Sequence, residues 1–134
     1  MFCVLPLTRG KWTAGVPLPG GDFPLDRLPA VLDDLKARFP FLSDDWARRL
    51  VRAYGTEAKD ILGDAAEAAD LGQDFGATLT EAEVTWLMSH EFARTGQDVV
   101  WRRNKLGLRM TADQIQTLEN WMAQKRHATP AAAE

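Results

Sequence analysis

Residues 79–111, "LTEAEVTWLMSHEFARTGQDVVWRRNKLGLRMT", place an apolar stripe, a glycine break and a cationic cluster in succession, and their reading decides the fold class. Thr80 and Glu83 stand at capping-box spacing, in which each side chain satisfies a backbone N–H of the other. Val84, Leu87, Met88 and Phe92 follow at helical intervals, so the pattern predicts a helix running to about Ala93. Glu91 falls within that stripe, where a carboxylate is costly to bury unless paired and hydrogen-bonded. The nearest cations are Arg94 and the basic group after it.

A second helix is predicted from Gln97 to about Lys105. On it Arg102 and Arg103 flank Val99 and Leu106, while Lys105 lies beside Trp101, so cationic and apolar residues alternate around the axis. Asp98 precedes Arg102 by one turn, a pair worth a few tenths of a kcal/mol if exposed. Three readings remain open. The segment is a solvated helix with one local ion pair. Alternatively Glu91, Asp98, Arg102 and Arg103 form a buried or half-buried network, since arginine forks suit carboxylates and carbonyl oxygens. A nucleic-acid track is the third and weakest, because it needs cations clustered on an open face. Glu91, Arg94, Asp98, Arg102, Arg103 and Lys105 are therefore the candidate residues, read as a structural and interdomain polar network. No catalytic, cofactor-binding or metal-binding residue is assigned.

The rest of the chain extends the helical pattern. Asp26 is expected to cap a helix with Pro29 in its first turn and Leu25, Leu28, Leu32, Leu35 and Phe39 at helical spacing, stopped by Pro40. Ser43 is expected to cap a helix carrying Trp46, Leu50 and Tyr54, closed by Gly55. Thr56–Leu62 reads as one or two turns ended by Gly63, and "GDAAEAADLGQDFGA" as one brief helix between loops. Thr111 and Gln114 repeat the capping device ahead of Ile115, Leu118 and Met122. No alternating strand pattern is visible. The fold class is all-α: a single small helical domain of about five to six helices over 25–125. An irregular connector rich in proline and glycine precedes it over 1–24, and a frayed tail follows over 126–134.

Composition narrows the function classes. The chain has 134 residues and a net charge of −3, which argues against non-specific nucleic-acid binding. Charge is uneven: ten acids and four bases lie between Asp44 and Glu83, whereas Arg94, Arg102, Arg103, Lys105 and Arg109 face only Asp98 between 94 and 109. The single cysteine, Cys3, permits no internal disulfide and reads as a bystander thiol. Nothing approaches the ~20 apolar residues of a membrane span. The opening "MFCVLPLTRGKW" is not read as a signal peptide. Neither a dinucleotide loop nor a P-loop occurs. His90 and His127 are the only histidines, too few for a metal site of helical-bundle type. Ser, Cys and His are too scattered for a triad.

The runs "PLPGGDF" (17–23), "FPFL" (39–42), "LVRAYGTEAKDILGDA" (50–65) and "DLGQDFGATLTEAEVTWLMSHEFARTGQDVVWRRNKLGLRMT" (70–111) together resemble the C-terminal domain of bacterial FAD-dependent (respiratory) glycerol-3-phosphate dehydrogenase. The resemblance covers Leu7 to about Met122 and is most specific from Asp70 to Leu108. It implies a helical cap domain that follows a flavin domain in one polypeptide. FAD is expected in that preceding domain and not in this chain, with oxidation of glycerol 3-phosphate to dihydroxyacetone phosphate and electrons passed to quinone. It also implies a cytoplasmic location, with the full enzyme peripheral on the cytoplasmic face of the inner membrane, and it is compatible with a homodimer. Asn104 stands where the family usually has threonine, and Gly96 where alanine is common. The rival reading is a stand-alone helical binding module that uses the basic 94–109 segment on nucleic acid or acidic lipid.

Overall fold

The computed structural model describes residues 13–128; the readings of Cys3, of 1–12 and of 129–134 lie outside the described residues. After the connector, a single 3-10 turn (Leu25–Arg27) leads into α1 (Leu28–Arg38), which has Pro29 in its first turn. Asp26 sits inside that 3-10 turn and caps nothing; Pro24, in extended conformation, marks the boundary instead. Of the expected stripe, Leu35 and Phe39 reach the core, Leu28 and Leu32 are half-buried, and Leu25 is exposed. The helix begins at Leu28, and Leu25 lies outside it, in the 3-10 turn.

α2 (Asp44–Tyr54) opens as its sequence suggests: the Ser43 Oγ accepts the Trp46 N–H at 3.3 Å, and Asp44 and Asp45 lie favourably at the positive end of the helix dipole. It buries Ala47, Leu50, Val51 and Tyr54 and ends at Gly55. A 3-10 turn (Gly55–Glu57) feeds the short α3 (Ala58–Leu62), and another (Ala68–Leu71) precedes the hairpin.

That hairpin is the departure from the all-helical reading. β1 (Asp74–Gly76) pairs antiparallel with β2 (Leu79–Thr80), with Asp74 opposite Thr80 and Gly76 opposite Leu79. Strands of three and two residues are too short to show an alternating pattern. The loop residues Ala77 and Thr78 both have positive φ, 51° and 68°, as a two-residue primed turn requires. Phe75 is buried on β1 and packs edge-on against Trp121 at 5.4 Å, which attaches the hairpin to the last helix.

α4 (Glu81–His90) follows directly, and Thr80 precedes it without any side-chain capping bond. A π-helical turn (Asp98–Arg103), a 3-10 turn (Leu106–Leu108) and the long α5 (Ala112–Ala128) complete the chain. The capping pair ahead of α5 forms as its spacing indicated: Thr111 N–H donates to Gln114 Oε1 at 2.9 Å and Gln114 N–H to Thr111 Oγ1 at 3.3 Å. α1 packs on α2, α3 on α4, α5 on β1, and the π-helical turn on the end of α4. Leu50, Leu79, Val84, Leu87, Val99, Val100, Leu118 and Met122 meet in one core. Among the described residues no helix is long and apolar enough to cross a membrane.

Candidate functional site

Glu83, read from its spacing as a capping residue, is a core residue instead. It is 1% exposed and accepts from three donors: Arg49 Nη1 at 2.7 Å, Arg49 Nη2 at 2.7 Å and the Tyr54 hydroxyl at 2.8 Å. The same Arg49 donates through Nε to Thr78 Oγ1 at 2.9 Å and through Nη2 to the Thr78 carbonyl at 2.8 Å. One guanidinium thus ties α2 to α4 and clamps the strained turn of the hairpin. Burial first, then the adjacent Glu83 carboxylate, push the Tyr54 phenol far above its ordinary range, so it remains a donor. A carboxylate with its acceptors so occupied is a structural group.

The second polar cluster surrounds the π-helical turn. α4 stops at His90 because Phe92 takes a left-handed φ of 57° and the Ala93 N–H returns to the Leu87 carbonyl at 3.0 Å. Glu91 is therefore the residue that ends the helix, not one within its apolar stripe, and its side chain is 38% exposed. Arg103 covers the open end of α4: its Nε and Nη2 donate to the Glu91 carbonyl at 3.1 and 2.7 Å, and its Nε lies 3.7 Å from Glu91 Oε2. Both residues belong to the network expected from the sequence, but the main contact goes to backbone.

Asp98 opens the turn in a reciprocal cap that the sequence reading missed. Its Oδ2 accepts the Arg94 N–H at 3.0 Å and the Thr95 N–H at 3.1 Å, while Thr95 Oγ1 accepts the Asp98 N–H at 3.1 Å. Its Oδ1 is paired with Arg102, the expected i,i+4 partner. The signal was the Thr-x-x-Asp spacing of 95–98. Gly96 N–H donates to Glu119 on α5. Asn104 Oδ1 accepts the Leu106 N–H at 3.1 Å, and its amide nitrogen is buried with no partner among the described residues. Lys105 takes a left-handed φ of 59°, and the side chains of Arg94, Lys105 and Arg109 are exposed without an ion pair among the described residues. So the structure joins Asp98 to Arg102 and Glu91 to Arg103, in two separate half-exposed contacts, and leaves Arg94 and Lys105 outward.

The Arg94 N–H first, then the Thr95 N–H and Arg102 against an opposing push from burial, hold the Asp98 carboxyl down at about 2. An unfolded aspartate titrates near about 3.9. With the folded value the lower one, the cap is fully present above about pH 4 and is lost as pH falls toward 2. Melting temperatures of the chain and of Asp98→Asn are therefore expected to differ at pH 6 and to converge toward pH 2. A constant gap across that range would show that Asp98 does not titrate in this way.

His90 stacks on Trp86 at 3.8 Å and bonds Ser89 Oγ through Nδ1 at 2.8 Å, so it is held by its own helix. No group of three or more His, Cys, Asp or Glu side chains suited to a metal forms among the described residues.

Comparison with known proteins gives a consistent result. The family model for the C-terminal domain of alpha-glycerophosphate oxidase matches residues 11–128. The chain is 39% identical over 117 residues to an aerobic glycerol-3-phosphate dehydrogenase of Escherichia coli K12, covering 84% of this chain and 22% of that protein. It is 35% identical over 119 residues to a glycerol-3-phosphate dehydrogenase of Pseudomonas aeruginosa, covering 89% and 23%. It is also 30% identical over 118 residues to a D-erythritol 1-phosphate dehydrogenase of Brucella abortus, covering 88% and 24%. The chain thus spans less than a quarter of the length of these relatives.

Proposed function

The chain belongs to the family of C-terminal domains of alpha-glycerophosphate oxidase, and from that premise we propose that it is a non-catalytic helical accessory domain of a FAD-dependent dehydrogenase. The dehydrogenase would oxidise a short polyol monophosphate, in the first instance glycerol 3-phosphate to dihydroxyacetone phosphate, and pass electrons to quinone. Relatives named for glycerol 3-phosphate and for D-erythritol 1-phosphate both point to that substrate class. The domain would pack against the flavin domain of the same polypeptide, in the cytoplasm, with the full enzyme resting on the inner face of the membrane.

The observation that carries the non-catalytic reading is the saturation of Glu83. It is the buried carboxylate of the described residues, and Arg49 and Tyr54 already occupy it. FAD does not fit here either. The described strands form a seven-residue hairpin (74–80) without the strand–turn–helix unit that seats a dinucleotide pyrophosphate. FAD is accordingly assigned to the preceding domain, where it supplies the hydride acceptor.

The chain alone, incubated with FAD and then desalted, is expected to show no flavin absorbance and no oxidation of glycerol 3-phosphate with a quinone acceptor. Retained flavin with turnover would overturn the reading. Arg94, Lys105 and Arg109, exposed and without an ion pair among the described residues, favour one rival, an anion-binding module. A nucleic-acid binder would show affinity that falls steeply with salt, so absence of binding both to nucleic acid and to anionic lipid vesicles at low salt ends that rival.

A further inference from the structure

We draw no further inference here: the strongest candidate, the surface patch of the π-helical turn and the 3-10 turn after it, with Trp101 and Leu108 exposed, carries nothing because nothing in the structure shows what covers it.

Discussion

Replacing Glu83 with alanine is expected to destabilise the domain by roughly 3–5 kcal/mol, a large part of the ~5–15 kcal/mol that holds a native domain together. The substitution leaves the Arg49 guanidinium, on a side chain 15% exposed, without its counter-ion. It also leaves the Tyr54 hydroxyl without its acceptor. The loss spreads to the hairpin, because Arg49 also holds the Thr78 hydroxyl and carbonyl in a turn where Ala77 and Thr78 both have positive φ. Urea melts of the chain check the size of the effect, and a cost well under 1 kcal/mol would show that the pair is not buried in solution. The double replacement Arg49→Met with Glu83→Leu should recover only part of the loss: it leaves no charge unpaired, but Tyr54 still lacks its acceptor and the Thr78 turn its clamp. Glu91→Ala makes the contrast: Arg103 bonds the Glu91 backbone carbonyl, which alanine retains, so the expected cost is below about 1 kcal/mol.

That contrast shows where sequence reading succeeded and where it could not. The question asked of Glu91, whether a carboxylate lies among apolar residues of a helix, was the right one. It applied with more force to Glu83, which stands one turn before Leu87 and next to Val84 on the same helix. Capping-box spacing offered Glu83 an easier explanation, and nothing local reveals that Arg49, thirty-four residues earlier, reaches it. The end of α4 was hidden for a related reason. Phe92 continues the helical spacing, and only a tertiary constraint turns its backbone left-handed. Elements whose cause is local were legible: the Ser43 cap, the Thr111–Gln114 pair, the glycine stops at Gly55 and Gly63, and the Asp98–Arg102 pair. The hairpin was not, because its register depends on Arg49 and on Phe75 packing against Trp121, both long-range.

Gly55→Ala is expected to be the second most damaging single change, and its comparison with Gly63→Ala separates two causes. Both glycines end a helix with nearly the same backbone, φ 58° and ψ −128° at Gly55 and φ 57° and ψ −124° at Gly63. This is a region that L side chains avoid, so either substitution costs about 1–3 kcal/mol in strain. At Gly63 an added Cβ meets nothing within 4 Å. At Gly55 it would lie 1.8 Å from the Gly20 carbonyl oxygen, and a Cβ on Gly20 would in turn lie 2.1 Å from the Tyr54 carbonyl oxygen. The connector sits so close here that Thr56 N–H donates to the Gly20 carbonyl at 3.1 Å. Relieving the clash means lifting that seat, and with overpacking added Gly55→Ala should cost about 2–6 kcal/mol. Gly63→Ala should stay at the lower figure. The excess at Gly55 measures how firmly the connector is seated, and protease cleavage within residues 13–24 should accelerate only in the Gly55 variant. Equal losses for the two glycines, with unchanged cleavage, would mean the connector does not rest on α2 in solution. If the seat holds, it fixes the point at which the connector joins the helical body.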